Sequence, residues 1–221
     1  MKRKYFDNRT IDRVARDMLQ VTSQVRERRS PLRITTASAL LVLDMQDYFL
    51  DPASHAFIPS SSAIIPNIQR LVQSYSQNGK PVIFTRHLNT QEDANSMSTW
   101  WRDLITEDSP LSRISQEIST DDAILVKKSQ YDAFFNTELE EILVERRISH
   151  LVICGVMTHL CCETTARSAF IRGFDVWFTI DGTATYNEDF HRAALLNLSH
   201  GFATPVLVSE VLMVMQDDGK N

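Results

Sequence analysis

Six short runs of apolar and β-branched residues, separated by stretches with helical patterns, constrain the fold of this chain more than any other feature. The runs span residues 39–43, 81–85, 123–126, 150–156, 175–180 and 205–208. Helices are predicted near residues 62–78, 98–116, 137–147, 160–172 and 188–200, the second of them interrupted by Pro110. Near-continuous apolar strands that alternate with helices are typical of a parallel sheet covered on both faces. The pattern therefore predicts a three-layer α/β/α domain, Rossmann-like in its architecture, with up to six parallel strands.

The glycines of the chain are too widely spaced to form a phosphate-binding loop. They lie at positions 79, 155, 173, 182, 201 and 219, and the closest pair is nine residues apart. Neither G-x-G-x-x-G nor G-x-x-x-x-G-K-[ST] can therefore be written. The common backbone cradles for dinucleotides and nucleoside triphosphates are excluded.

The charge of the chain argues against a nucleic acid as its main partner. Lys and Arg number 23 against 28 Asp and Glu, which gives a net charge of -5. Because the two signs are interspersed, no basic face for phosphate backbones is indicated. A small-molecule substrate is expected instead.

Short apolar segments and few cysteines favour a cytoplasmic protein without a membrane partner. The longest apolar runs, residues 39–43 and 211–215, are far short of the roughly 20 residues that span a bilayer. The basic first ten residues lead into no apolar segment, so neither a signal peptide nor an anchor is predicted. The cysteines at 154, 161 and 162 lack C-x-x-C spacing, as is typical of free thiols in a reducing compartment.

The N-terminal region, residues 1–36, is predicted to form a helical arm outside the main fold, which is predicted to occupy residues 37–221. A helix over 9–27 has a narrow apolar seam, formed by Ile11, Val14, Met18, Val21 and Val25. The seam either lies on its own domain or contacts a neighbouring subunit. We expect a homodimer or homotetramer with this arm at or near an interface.

Residues that directly follow the predicted strands are candidate site residues, because open α/β sheets bind ligands beyond the carboxyl ends of their strands. Asp44 follows the first strand, and its position alone favours a helix cap over a functional carboxylate. Lys127 and Lys128 follow the third strand, where lysines are most often solvated. Position alone therefore assigns no chemistry to these residues.

Cys161 lies just beyond the fourth strand, at the predicted start of a helix. With Thr158 as the N-cap, Cys161 occupies the first helical turn, where unpaired N–H groups and the positive end of the dipole concentrate. A thiol there is expected to ionise easily and to act as a nucleophile. Cys162 is about 100° further around the helix and cannot share this orientation. For Cys154, in mid-strand, a buried hydrophobic role is predicted.

Asp44, Lys128 and Cys161 come from three strands but leave the predicted sheet at the same edge. A base, a cation and a thiol that converge on one crevice form a nucleophilic site. No G-x-S-x-G segment offers a serine alternative.

Four segments in unbroken order resemble the isochorismatase-like cysteine hydrolases. They are residues 41–49 (LVLDMQDYF), 128–134 (KSQYDAF), 155–167 (GVMTHLCCETTAR) and 181–191 (DGTATYNEDFH). The resemblance, which spans about 37–215, implies a six-stranded parallel sheet flanked by helices. It also implies that Asp44, Lys128 rather than Lys127, and the nucleophile Cys161 are catalytic.

The resemblance further implies a cis peptide between Val156 and Met157. Such a bond costs several kcal/mol outside proline and persists only where the surroundings enforce it. In the family it directs the amide of residue 157, together with that of Cys161, at the substrate oxygen.

The sequence predicts no metal and no cofactor. Nicotinamidases of the same superfamily hold a metal through an Asp-x-His pair and a further His. Here residues 85–89 read TRHLN, without Asp-x-His, and His55 stands alone, so four suitable ligands are missing. The residues expected around the substrate are Phe49, His87, Trp101 and Tyr131.

The hypothesis is a cofactor-free hydrolase of a small carboxamide or related C–N compound, acting through a thioester on Cys161. One alternative is hydrolysis of isochorismate, a vinyl ether, which needs an acid and water but no nucleophile. Another is a non-catalytic binding or scaffold subunit that retains the fold. Retention of Cys161 favours acyl chemistry, and retention of all three residues disfavours the scaffold.

Overall fold

Six parallel strands form a single sheet in the computed structural model, which describes residues 1–26 and 37–218. The strands are β1 Ser38–Leu43, β2 Val82–His87, β3 Ile124–Lys128, β4 His150–Val156, β5 Asp175–Ala184 and β6 Thr204–Val206. Their order in the sheet is β3-β2-β1-β4-β5-β6. Every neighbouring pair is parallel. The prediction of a six-stranded parallel sheet is confirmed.

Helices connect the strands and cover the sheet. They are α1 Ile11–Arg26, α2 Asp47–Leu50, α3 Ser61–Gln77, α4 Met97–Trp100, α5 Leu139–Glu145, α6 Glu163–Ile171, α7 Glu188–Gly201 and α8 Val208–Asp218. All six residues of β1 are buried, as expected for a central strand covered on both faces. None of the helices in the described ranges is long and apolar enough to cross a membrane.

The strand order reverses beside β1, and this reversal determines where a site can lie. From β1 the chain proceeds to β2 and β3 on one side, and then returns to place β4 on the other side. Diverging loops at such a point leave a crevice beyond the carboxyl ends of the strands. The residues that follow β1 and β4 lie at this crevice.

The prediction of a helix near residues 98–116 is wrong. The connection from β2 to β3 contains only the four-residue α4 and a 3₁₀ turn at Pro110–Ser112. Its backbone bonds instead to the segment after β1: Ser115 N donates to Met45 O at 2.8 Å, and Asp47 N donates to Arg113 O at 2.9 Å. Proline and the polar run before it disfavour helix, and the segment forms a wall at the carboxyl edge of the sheet.

The N-terminal helix packs on its own domain, so the prediction of an arm outside the main fold is wrong. α1 contacts β5, β6 and α7. Ile11, Val14 and Met18 of the seam are buried, whereas Val21 is 56% exposed. The side chain of Val25 lies outside the described residues. The narrow seam is sufficient to bury the helix because it fits between α7 and the sheet. The expected homodimer or homotetramer stays a prediction.

Replacing Met18 by alanine tests this packing. Because Met18 is only 1% exposed, we expect Met18→Ala to lower the free energy of unfolding by about 2–5 kcal/mol. Met213→Ala is the control, since Met213 is 64% exposed and its loss should change stability little. Urea unfolding measures both, and equal midpoints for the two variants would contradict the packing of α1.

Candidate active site

Three charged or nucleophilic side chains meet at the carboxyl edge of the sheet, beside the crevice. Asp44 directly follows β1, Lys128 is the last residue of β3, and Cys161 lies in a π-helical turn, Thr158–Cys162, after β4. The Lys128 Nζ atom lies 2.8 Å from Asp44 Oδ2 and 3.4 Å from Cys161 Sγ. The structure therefore brings together the three residues that the sequence singled out.

Asp44 does not cap a helix, which corrects the interpretation from position alone. The N-cap of the following α2 is Gln46, and it makes no side-chain capping bond. Asp44 adopts a φ of 50°. Its Oδ1 accepts a hydrogen bond from Thr85 Oγ1 at 2.6 Å, while its own backbone N–H donates to the same hydroxyl at 3.1 Å. These bonds to β2 fix the carboxylate at the sheet edge.

Asp44 and Lys128 form a fully buried ion pair, with both side chains 0% exposed. Burial alone would raise the pKa of Asp44, but the Lys128 ammonium holds it below its ordinary value. Burial alone would lower the pKa of Lys128, but Asp44 and Cys161 raise it above the usual value. The resting site thus contains a carboxylate and an ammonium.

The Cys161 thiol is protonated in the resting site, contrary to the prediction of easy ionisation. Burial, and then the Asp44 carboxylate, raise the pKa of Cys161 to about 12, with Lys128 opposing them. The predicted cap is also wrong: Thr158 lies within the π-helical turn, and the N-cap residue is Met157. The effect of burial on the pKa of Cys161 therefore outweighs the effect expected from the start of a helix. Because the Asp44 carboxylate is near enough to raise this pKa, a proton acceptor lies close to the thiol.

The two other cysteines lie away from the reactive position. All three cysteines are free and buried. Cys162 is 0% exposed and does not line the cavity described below. Burial raises the pKa of both Cys154 and Cys162. The hydrophobic role predicted for Cys154 matches its burial in mid-β4.

The end of β4 approaches β1 unusually closely. Gly155 pairs with Leu43 and has a φ of +115°; a Cβ atom there would lie 2.1 Å from Leu43 O. Only glycine fits such an approach. One residue further on, the Val156–Met157 peptide bond is cis, the geometry that the resemblance implies. Met157 itself lines the cavity described below.

His87 holds the Lys128 ammonium from the β2 side. Asn89 Nδ2 donates to Ser129 O at 2.8 Å, so its Oδ1 faces His87 Nε2, also at 2.8 Å. Because that oxygen can only accept, Nε2 carries the imidazole proton. The lone pair of Nδ1 then points at Lys128 Nζ, 3.3 Å away. Burial and the adjacent ammonium lower the pKa of His87 to about 4, so the ring is neutral.

A cavity of about 230 Å³ opens beside Cys161 and His87. Its lining includes Cys161 and Met157, and all four residues expected around the substrate: Phe49, His87, Trp101 and Tyr131. Trp101 Nε1 donates to Tyr131 OH at 2.7 Å, which joins the β2–β3 wall to the segment after β3. The cavity is predominantly aromatic and aliphatic, as is typical of sites for small organic ligands.

Several lining residues were missed from the sequence. They are Lys2, Tyr48, His55, Ala56, Asn89, Met97, Arg102, Asp103, Leu104, Ile105 and Tyr186. A signal existed for Tyr186, which lies in the 181–191 segment, and for Asn89, two residues beyond His87. For Lys2 there was none, because only the tertiary fold places the N-terminus here.

The residues present do not fit the metal site of the nicotinamidases. In ranges 1–26 and 37–218, no group of three His, Cys, Asp or Glu side chains could hold a metal ion. His87 has one ring nitrogen bonded to Asn89 and the other facing an ammonium. Independence from metal stays a prediction.

Residues 38–210 match the sequence family described as Isochorismatase domain. Nicotinamidase 3 of Arabidopsis thaliana is 40% identical over 171 residues, which are 75% of this chain and 82% of that protein. Enterobactin synthase component B of Escherichia coli K12 is 31% identical over 179 residues, 79% of this chain and 62% of that protein.

The fold is also similar to that of solved structures. A cysteine hydrolase from Pseudomonas syringae pv. phaseolicola 1448A superposes with a TM-score of 0.81 at 24% sequence identity. The match covers 85% of this chain and 96% of the other. The likeness therefore extends over nearly the whole described α/β domain.

Proposed function

Because the chain belongs to the isochorismatase family of hydrolases, we propose that it cleaves the C–N bond of a small carboxamide without a cofactor. The observation that carries this proposal is the buried contact of Lys128 with both Asp44 and Cys161 beside an apolar cavity. The 40% identity to a nicotinamidase supports an amide substrate.

The proposed reaction begins with attack of Cys161 Sγ on the carboxamide carbon. Asp44 accepts the thiol proton as the C–S bond forms, and the positive charge of Lys128 stabilises both the carboxylate and the developing thiolate. The oxyanion receives hydrogen bonds from the backbone N–H groups of Met157 and Cys161.

Collapse of this intermediate breaks the C–N bond and leaves a thioester on Cys161. Asp44 returns its proton to the leaving nitrogen, which departs as ammonia or an amine. Water then attacks the thioester and releases the carboxylic acid and the thiol. The high pKa of the resting thiol agrees with this order, because the proton moves only when a carbonyl is in place.

The cavity walls suit a flat or short substrate. Phe49, Trp101, Tyr131 and Tyr186 supply aromatic surface around a volume of about 230 Å³. Such walls stack on planar groups and exclude water from the thioester. We therefore propose these side chains, with His87, as the substrate environment.

The pH dependence of turnover follows from the ion pair. Asp44 acts as a base only when ionised, and its lowered pKa means that activity is lost only as the pH falls through that low value. The raised pKa of Lys128 keeps the ammonium at alkaline pH. We expect kcat/KM to be flat between about pH 5 and 9.

Asn89→Asp should move the acid limb of this profile upward. A carboxylate at position 89 would favour the His87 imidazolium, and its pKa, about 4 in the parent, would rise. The imidazolium would then repel the Lys128 ammonium, so activity should be lost at a higher pH than in the parent. The exposed Asn95→Asp in the same loop is the control. Superimposable profiles would show that His87 does not act on Lys128.

Isochorismate hydrolysis is the second candidate, and the charge of Asp44 disfavours it. Protonation of a vinyl ether needs a proton donor, whereas the ion pair with Lys128 holds Asp44 as a carboxylate. A non-catalytic scaffold is disfavoured because Asp44, Lys128 and Cys161 are all retained and Cys161 lines the cavity.

Incubation with a panel of carboxamides and with isochorismate tests the proposed function. A turning-over sample, quenched rapidly in acid and digested, should show an acyl mass on the peptide that contains Cys161. Chelators should leave the rate unchanged. Consumption of isochorismate alone, with no adduct on any peptide, would refute amide hydrolysis.

A further inference from the structure

The N-terminal segment, residues 1–7, is fixed beside the cavity by contacts along its length. Arg3 N donates to Tyr186 O at 2.7 Å, and Thr185 N donates to Tyr5 OH at 3.1 Å. The same hydroxyl lies 2.7 Å from the Nδ1 atom of the buried His191. Phe6 is only 2% exposed. The position of Lys2 is therefore determined by the fold rather than by a free terminus.

Lys2 contributes a positive charge to the lining of the cavity. Its ammonium donates to the backbone carbonyl of His55 and lies 4.3 Å from the centre of the Tyr186 ring. Lys2, His55 and Tyr186 all line the same cavity as Cys161. Partial burial lowers the pKa of Lys2.

No carboxylate of residues 1–26 and 37–218 forms an ion pair with Lys2. The one acidic residue among the lining, Asp103, instead accepts a hydrogen bond from Tyr48 OH and lies 3.3 Å from His55 Nε2. A second cation, Arg102, lines the cavity as well. The lining thus carries two cationic side chains against one carboxylate, on walls that are largely aromatic.

We propose that the substrate carries a carboxylate in addition to the carboxamide, and that Lys2 determines this specificity. This inference rests on the proposed function. The Lys2 ammonium has three N–H donors, and its contacts are a neutral backbone carbonyl and an aromatic ring, so it can still donate to an anion. A hydrogen bond between an ammonium and a carboxylate is stronger than one between neutral groups. A ligand with its carboxamide at Cys161 and its carboxylate at Lys2 would engage two side chains that line one cavity.

Paired substrates test the inference: a neutral aromatic carboxamide, and the same ring with a carboxylate added. We expect the parent protein to prefer the carboxylate-bearing member in kcat/KM by about 10-fold or more. Lys2→Met should raise KM for that substrate by a similar factor with little change in its kcat, and should lower kcat/KM for the neutral substrate much less. Lys2→Arg should retain the preference. Lys4→Met is the matched control, because Lys4 is exposed as Lys2 is but does not line the cavity.

Failure of this inference differs from failure of the proposed function. If both carboxamides are hydrolysed equally well and Lys2→Met changes neither, the carboxylate specificity is refuted while the amidase function stands. If Lys2→Met impairs both substrates equally, Lys2 supports the structure and does not select the substrate. If neither carboxamide is hydrolysed and no adduct forms on Cys161, the proposed function itself fails.

Discussion

Cys161→Ala is expected to reduce carboxamide turnover by about 10⁴-fold or more, the scale seen when a nucleophile that acts as part of a unit is removed. Cys161 lines the cavity and contacts Lys128 Nζ at 3.4 Å. Without its sulfur no thioester can form. What remains is the capacity of the site to bind substrate and orient water.

The adjacent Cys162→Ala supplies the control for this loss. Cys162 is also buried but does not line the cavity, so its variant should keep turnover within a few-fold of the parent. Steady-state rates and unfolding midpoints should be measured for both variants. Equal losses of activity with folding intact would overturn the choice of nucleophile. Undiminished isochorismate consumption by Cys161→Ala would favour vinyl ether hydrolysis.

Lys128→Met should damage both stability and catalysis. It leaves Asp44 as an unpaired buried carboxylate, and breaking a buried pair in this way costs about 3–5 kcal/mol. It also removes the cation that we propose stabilises the developing thiolate, so turnover should fall by about 10²-fold or more. Denaturant unfolding and kcat/KM at the same pH measure the two effects.

Lys127→Met is the matched control because the same charge is removed one residue away. The Lys127 side chain is 61% exposed and pairs with Glu107 at the surface. Little change in either measurement is expected. If Lys127→Met lost as much turnover as Lys128→Met, the catalytic charge would have been assigned to the wrong lysine.

The strands could be predicted from the sequence because their periodicity is a local property. Burial on both faces of a parallel sheet favours near-continuous apolar residues, as in β1, where five apolar residues follow Ser38. The convergence of Asp44, Lys128 and Cys161 also followed, since parallel strands end at a common edge. The family resemblance then indicated Lys128, rather than Lys127, as the lysine of the site.

The protonation state of Cys161 could not be predicted, because it depends on tertiary burial. A helix terminus is visible in sequence, but removal of the thiol from water is not, and it dominates here. The β2–β3 connection was misassigned for a related reason: its backbone bonds are to the segment after β1, which periodicity does not report. Lys2 reaches the cavity only through anchors such as Tyr5, whose partner His191 is 186 residues away.

The strand order has a consequence for how this protein folds. The reactive groups are brought together by contacts between distant parts of the chain, 33 residues apart for Lys128 and Cys161 and 41 for Asp44 and Thr85. Long-range pairings of this kind form slowly, since the entropy of closing each loop is lost before any contact compensates for it. Helical circular dichroism can therefore recover early during refolding, whereas enzymatic competence must wait until β1, β3 and β4 occupy one sheet. In this fold, recovery of turnover during refolding therefore reports that the strands have reached their native order, and not merely that the chain has become compact.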